Sequence, residues 1–464
     1  MRVLLIAASS EFFPMYAAPL GEAYIASVLQ REGHEVQILD LALHKDYKAE
    51  IEKAISSFEP GLIGMSIRNI DIATYPATIY FYPPARDAVR FTREITDVPL
   101  VLGGAGFSIF AEEILRDIPH NIGVVGEGEH AFVEIVKKVE RGSDPRSVPK
   151  GICYLDEAGN FVKTEPWKIT DLDELPLPAR DLIDNSRYKL VDGRVIGNIQ
   201  TQRGCPYDCI FCSYPYLEGH HMRYRSPERV AEEMELLVNN YGVDCVFIVD
   251  NSFNTSPSNS KAVAEAIKAK KIDVEWGANY KPGTKTIEHL SLFKESGCSH
   301  LAMGVENLSD DVLDTMKKSA NANDVIETVN RCTELEIEQF LHILFGLPGE
   351  TLESVEMTMK TLGKLNVYMG GWQGQSEALI MTGVRIYPHT ELCKIAIEEG
   401  VITKDTNLLI PRFYITPAID ENKMFDLIRS YAGGQERWNV PGLDMNVPSE
   451  MMEFMQKQLV HYGI

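Results

Sequence analysis

Three cysteines stand in the stretch Arg203-Gly-Cys205-Pro-Tyr-Asp-Cys209-Ile-Phe-Cys212 with the spacing C-x3-C-x2-C. Thiolates three and four positions apart on one tight loop can converge on a single cluster, and three ligands for a cubane of four irons leave one iron open to another molecule. A second chemistry fits the same residues: with His220 or His221 the thiolates form a closed four-ligand zinc site. Zinc sites more often pair C-x2-C with a second ligand pair well separated in sequence, so the three-residue first gap favours the iron cluster. The chain has eight cysteines, and the five outside this loop are scattered singly. That is too few for a disulfide scaffold, and it points to a metal site in a reducing, cytoplasmic compartment.

A loop of this kind needs strands to hold it. From about 196 to 388 short β-branched runs (196–201, 245–249, 275–278, 301–305, 339–344 and 378–386) alternate with helix-patterned segments such as 227–238 and 261–269. Six such β/α units predict a full or partial TIM-like (β/α)6 barrel, whose chemistry belongs at the C-terminal strand ends, and the cysteines follow its first strand. Residues 1 to about 140 carry a similar alternation with Gly at the turns, which predicts a doubly wound parallel sheet of Rossmann-like, flavodoxin-like type. Its ligand-binding edge would hold Gly103-Gly104-Ala105-Gly106 and Gly126-Glu127-Gly128-Glu129. The α/β chain thus divides into a sheet domain (1–141), a Pro-rich linker laid over a surface (142–190), a barrel (191–390) and a small, mostly helical C-terminal region (391–464).

Composition sets the remaining bounds. With 45% hydrophobic and 24% charged residues the chain is globular, and no apolar run approaches the roughly 20 residues of a membrane helix. The apolar start, Met1-Arg-Val-Leu-Leu-Ile-Ala7, runs into Ser9-Ser10-Glu11-Phe12-Phe13-Pro14 without a small-residue cleavage site, as a buried first strand does. A net charge of -22 disfavours nucleic acid as a partner.

The cysteine motif, with Phe211 as the aromatic before its last ligand, resembles the signature of the radical S-adenosylmethionine (SAM) superfamily. The α/β domain ahead of it is similar to that of the superfamily's cobalamin-binding subgroup. Further landmarks follow in the subgroup's order: Gly126-Glu-Gly-Glu129 with Phe132, Leu175-Pro-Leu-Pro-Ala-Arg-Asp181, Gly304-Val-Glu-Asn307, Phe345-Gly-Leu-Pro-Gly-Glu-Thr351 and Arg385-Ile-Tyr-Pro388. The resemblance spans roughly residues 1–400. It implies a 4Fe-4S cluster on Cys205, Cys209 and Cys212 that chelates SAM and cleaves it to a 5′-deoxyadenosyl radical, with an electron donor such as ferredoxin or flavodoxin as partner.

Site residues follow from the same resemblance. Asn251 or Ser252, beside Asp250, stands where the family binds the SAM amino group, although Asp250-Asn251-Ser252 lacks the common Gly-Gly-Glu form. Glu306 matches the acid that takes the SAM ribose, with a rim salt bridge as the alternative. Gly346 opens a turn whose backbone approaches the adenine, with a purely structural turn as the alternative. For cobalamin the implied contacts are Ser66, Arg68, Asn69, Asp71, Gly103, Gly104, Gly126, Glu127 and Gly128. Asp40-Leu41-Ala42-Leu43-His44 departs from the His-ligating form Asp-x-His-x-x-Gly, so cobalamin would bind without a histidine on its metal. Arg68 would then lie below the corrin or pair with Asp71. Most of Tyr75, Tyr80, Phe81 and Tyr82 are expected to be packing residues. Tyr280 and Tyr387 are expected as catalytic side chains at the barrel mouth, joined there by Lys281 and residues 372–377.

The reaction implied is cobalamin-dependent methylation of an unactivated carbon or phosphorus centre in a small-molecule or peptide substrate. Cyclisation or rearrangement, a radical SAM enzyme without working cobalamin, and a zinc-stabilised scaffold are the alternatives.

Overall fold

The structure is a computed structural model, and it describes residues 1–9, 17–119, 121–370, 372, 377–435 and 437–443. Two compact units emerge: Met1–Asp71 with Tyr80–Lys189, and Ile72–Ile79 with Leu190–Ile464. No helix among the described residues is long and apolar enough to cross a membrane.

In the first unit seven strands form one sheet: β1 (Arg2–Ala7), β2 (Glu35–Asp40), β3 (Leu62–Ser66), β4 (Leu100–Gly103), β5 (Ile122–Val124), β6 (Ile152–Leu155) and β7 (Phe161–Lys163), in the order β2-β1-β3-β4-β5-β6-β7. The first five run parallel, as βαβ connections through helices such as Leu20–Arg31 and Glu129–Glu140 require. Continuous apolar runs such as Val3-Leu4-Leu5-Ile6, at most 3% exposed, reflect a sheet covered on both faces.

The stretch 142–190, expected as a linker, is instead part of this unit. Strands β6 and β7 add antiparallel to β5, and Val148, Ile152, Ile169, Leu172, Leu175 and Ala179 join the same core as Val3 and Phe132. Its prolines do exclude helix and parallel strand, but they leave the short antiparallel edge and 3-10 turns open to it.

Gly104 is held by packing. Its φ is +97°, and an added Cβ would lie 2.6 Å from the Ile67 carbonyl oxygen. The helix that begins there, Ala105–Ile109, sits so close that Gly106 and Phe107 donate their N–H groups to the carbonyls of Arg68 and Ile67 at 2.7 and 3.0 Å. Gly104→Ala should therefore cost about 2–4 kcal/mol from the left-handed backbone and the clash together. Urea unfolding of the ligand-free chain checks this; an unchanged midpoint would count against it.

The second unit has a seven-stranded parallel sheet: β8 (Ile196–Ile199), β11 (Cys245–Ile248), β12 (Glu275–Tyr280), β13 (Cys298–Glu306), β14 (Glu338–Phe345), β15 (Ala378–Thr382) and β18 (Trp438–Asn439). Two small antiparallel ladders flank it, β9 (Gln202–Arg203) with β10 (Arg223–Tyr224) and β16 (Val384–Arg385) with β17 (Phe413–Tyr414). Edge strands β8 and β18 do not pair, so the sheet is open and the barrel partial.

Two expectations change here. The run 378–386 is two strands, broken at Gly383, where φ is +124° and an added Cβ would meet the Tyr75 ring at 3.0 Å. The tail from 391 is no separate helical region. It supplies β17 and β18, and its helix Glu421–Ala432 buries Met424, Phe425 and Ile428 in the same core as helix Leu352–Leu362. The Met- and aromatic-rich end after 443 lies outside the described residues.

Candidate active site

The cysteine loop is closed at its neck by the β9–β10 ladder, in which Arg203 faces Arg223 and Gln202 faces Tyr224. Gly204 turns the chain into the loop with φ +97°, where a Cβ would lie 2.3 Å from the His221 carbonyl oxygen. Cys205 then donates its backbone N–H to the Gly219 carbonyl at 3.0 Å, and Cys212 donates to the Cys209 carbonyl at 3.1 Å. Ile210 ties the middle down: its N–H donates to Met316 at 3.3 Å and its carbonyl accepts from Leu392 at 2.8 Å. Together these bonds hold three thiols on one short turn.

Those thiols sense one another. Burial raises all three, pushing Cys212 up to about 12; Cys209 and Cys205 add to that rise, while the ammonium of Lys318 opposes it. Lys318 is itself buried, which works against its charge, yet Glu306 and Cys209 hold it above the usual lysine range. Its Nζ lies 3.0 Å from Glu306 Oε1. Glu306 ends β13 at φ +64°, a conformation that non-glycine residues rarely take, and this turns its carboxylate back over Gly304.

The second strand end holds the neck of the loop. Asp250 accepts from the Thr201 and Gln202 N–H groups at 2.7 and 3.3 Å and from the Thr201 hydroxyl, and burial raises its carboxyl to about 7. Asn251 donates Nδ2 to the Gly204 carbonyl at 2.8 Å, while its Oδ1 is buried with no partner among the described residues. An orphaned acceptor beside the thiolates needs a donor from elsewhere.

At the carboxyl edge of the first unit, Ser66 donates its hydroxyl to Glu22. Glu22 is fully buried and its carboxyl is raised by that burial, with Asp40 adding to the rise and Ser66 and Arg68 opposing it. Asp40, also raised by burial, accepts from the Tyr188 hydroxyl at 2.8 Å and from the Ala42 N–H at 3.0 Å. Arg68 is half-buried and bears on both acids. Beside them a Cβ on Gly103 would touch nothing closer than the Val124 carbonyl at 3.9 Å, which leaves an open cradle at the end of β4.

Two family models match this arrangement, the radical SAM superfamily over residues 199–362 and the B12 binding domain over residues 13–136. An uncharacterized methyltransferase of Pyrococcus horikoshii is 30% identical over 83% of this chain and 79% of its own length. This chain belongs to the radical SAM superfamily. Within it, this radical SAM protein also resembles the tryptophan 2-C-methyltransferase of Streptomyces laurentii, 23% identical over 82% of this chain and 72% of that protein. Its fold is that of the radical SAM methyltransferase TsrM of Kitasatospora setae, solved with cobalamin and a [4Fe-4S] cluster bound. The TM-score is 0.81 at 21% identity, with 98% of each chain covered.

The closed zinc site is not formed. Among the described residues no three His, Cys, Asp or Glu side chains are grouped for a single ion, and the side chain of His220 is 57% exposed with Nε2 3.7 Å from Asp208. An iron cubane holds its thiolates further apart than one ion does, and one loop carrying three thiols beside a lysine fits that donor set.

Several expected site residues have other duties. Tyr280 is 2% exposed in the core under the helices, its hydroxyl 2.6 Å from Thr286 Oγ1, so it does not reach the barrel mouth. The parity of β12 explains the miss: Asn279, one residue earlier, takes the opposite face. Glu127 accepts the Ile169 N–H at 2.9 Å and pins the segment before the 3-10 turn Leu172–Glu174. Gly126 donates to Ser108 Oγ at 3.0 Å, and Gly128 precedes the helix Glu129–Glu140 with Ile25 against it. Trp372 donates Nε1 to Glu275 and Ser299 near the amino ends of β12 and β13, away from the mouth; Glu377 pairs with Arg437, and residues 373–376 lie outside the described residues. Ser252 bonds Asn254 at 3.0 Å. Asp71 bridges Tyr80, while Asn69 is exposed. Tyr80, Phe81 and Tyr82 are buried packing residues. Tyr387 is half-buried under the Arg385 guanidinium at 4.9 Å, and Lys281 stands over the Tyr207 ring at 4.7 Å, the pKa of its ammonium lowered to about 8 by burial and by Lys318.

Lys318 carried no signal in the sequence, since it lies in a connection between helices. Asn307 and Glu350 were visible only as letters within two landmarks. They form one buried hydrogen bond of 2.8 Å, and Glu350 also accepts from the Gly346 and Leu347 N–H groups.

Proposed function

We propose that this radical SAM protein is a cobalamin-dependent methyltransferase that methylates a carbon or phosphorus centre of a small-molecule or peptide substrate. The observation that carries this reading is the similarity, over most of both chains, to an uncharacterized methyltransferase, in a chain that matches both the B12-binding and the radical SAM models. When bound, the cluster supplies the electron that splits the sulfonium of SAM, and cobalamin carries the methyl group.

The chain's own residues hold these groups. Cys205, Cys209 and Cys212 would ligate three irons. Asn251 Oδ1 would accept from the SAM amino group, and Glu306, steadied by Lys318, from its ribose hydroxyls. Gly346 presents backbone shaped by Glu350. In the first unit the cradle at Gly103 leaves room that a side chain would fill, and Arg68 sets a cation beside it in place of the missing histidine. A low-potential ferredoxin or flavodoxin would deliver electrons, and the open iron site calls for a reducing cytoplasm.

The test needs no substrate. Anaerobically purified protein is assayed for iron, sulfide and corrinoid, then given a reductant and SAM labelled in its methyl group. Label on the corrinoid supports the reading, and a corrinoid that stays unlabelled while SAM is cleaved overturns it. In the same preparation Asn251→Ala should weaken SAM binding about tenfold by removing one acceptor for a charged donor, a change equilibrium dialysis resolves. Equal affinities would release Asn251 from the site.

A further inference from the structure

The turn that ends the helix Asp310–Thr315 sets a lysine against the cysteine loop. Lys317 takes φ +57° and donates its N–H to the Asp314 carbonyl at 2.9 Å, while Lys318 donates to the Leu313 carbonyl at 2.9 Å, the paired bonds of a left-handed helix cap. They fix the backbone of Lys318. One residue before the cap, the Met316 carbonyl accepts the Ile210 N–H at 3.3 Å, so the same turn is fastened to the middle of the cysteine loop. The two lysines then part: Lys317 is 49% exposed and pairs with Glu391, whereas Lys318 is 11% exposed and pairs with Glu306.

Burying an ammonium is costly unless its charge and its three N–H groups are answered. Glu306 answers one of the three, at 3.0 Å, and the other two have no partner among the described residues. The thiols beside them are the nearest source of further negative charge. A cluster on three thiolates becomes more negative by one unit when it takes up an electron, so a fixed cation nearby favours that electron and a fixed anion opposes it. On Cys209 the pull of Lys318 exceeds the push of Glu306, and Lys318 acts on Cys205 and Cys212 as well. Seen from the loop, the pair is a net cation.

We propose that Lys318 and Glu306 form an opposed charge pair that sets the reduction potential of the cluster held by Cys205, Cys209 and Cys212, the lysine easing entry of one electron from a low-potential donor and the glutamate restraining it. This rests on the assignment of those thiols as iron ligands and does not depend on methyl transfer. Its mark is a potential, which a lysine that merely packed the loop would not move.

The potential is read by anaerobic redox titration of the cluster-loaded protein, followed by electron paramagnetic resonance, near neutral pH and without SAM. Lys318→Met should make reduction about tenfold less favourable, a fall of ~59 mV for a one-electron couple. Lys318→Arg keeps the charge and should stay at the wild-type value. Glu306→Gln should shift the potential the other way, and by less, because its push on Cys209 is the weaker of the two. Lys318→Gln repeats the loss of charge with a polar side chain, so a methionine variant that fails to load does not silence the test. A lysine that only held the carboxylate of SAM would leave all these potentials equal while weakening SAM binding, and that result overturns the proposal. Shifts of the same sign in Lys318→Gln and Glu306→Gln overturn it too, since opposite charges cannot be their cause. A wild type that takes up no iron and sulfide sinks the ligand assignment and the pair with it. If the wild type loads but every variant loses its iron, the two residues hold the loop and set no potential.

Discussion

Replacing Cys205, Cys209 and Cys212 together by alanine is expected to reduce 5′-deoxyadenosine formation by about 10⁶-fold or more, to the uncatalysed background. These thiolates are the ligands the loop offers, and the backbone bonds at Cys205, Ile210 and Cys212 exist to keep them on one turn. With the sulfurs gone, the loop's closure by β9–β10 remains, so the second unit should still fold. Corrinoid content should change little, because Ser66, Arg68 and Gly103 belong to the first unit, which has a core of its own. The measurement is paired: iron and 5′-deoxyadenosine fall together while the corrinoid spectrum persists. A variant that still made the nucleoside at the normal rate would move the chemistry elsewhere, and one that lost both cofactors would show the loop to be a folding element.

Much of the architecture could be read from periodicity because parallel sheets leave strong marks. Every strand of the second sheet but the last was visible as an apolar run, with a helical stretch in most of the gaps between them. β18 escaped since two residues, Trp438 and Asn439, carry no period at all. The edge strands β6 and β7 were hidden for a related reason: antiparallel additions need few residues and tolerate the polar, Pro-rich composition that otherwise signals a connection. Side-chain direction was the weaker inference. Tyr280 and Asn279 differ by one position, and only the register with β13 decides which of them faces the core.

In the site, what could be read depended on whether a residue's role was local. The cysteines were legible because ligands of one cluster share one loop. Gly104 was legible as a glycine, but its cause is the Ile67 carbonyl, a neighbour just past the end of β3 that no spacing rule reveals. Lys318 lies 12 residues after Glu306, its partner, and meets the cysteine loop from a third segment. Arg225, buried against Glu233 at 2.5 Å and donating to the Gln200 carbonyl at 3.0 Å, braces the end of β8 in the same nonlocal way.

Glu350 shows how such a hidden residue can be tested. Its carboxylate accepts from the Gly346 N–H at 2.5 Å, the Leu347 N–H at 3.1 Å and Asn307 Nδ2 at 2.8 Å, and Asn307 in turn accepts from the Leu308 and Ser309 N–H groups and the Thr358 hydroxyl. Glu350→Ala strands three buried donors at once, so a loss of about 3–5 kcal/mol is expected. Tryptophan fluorescence follows it well, since Trp276, Trp372 and Trp438 all lie in the second unit. Burial raises the Glu350 carboxyl from 4.5 to about 7, against the opposing pull of its three donors. The folded chain therefore binds more protons than the unfolded one between those values, and its stability should fall as pH rises through that window, by about 3 kcal/mol from this group. Glu350→Gln has no proton to lose, so the stability of the wild type minus that of the glutamine variant should decline from pH 4.5 to 7 and level off above. A flat difference would mean that the carboxylate stays charged throughout and that the turn before the helix Leu352–Leu362 is held by an anion, with the wild type's advantage at acid pH gone.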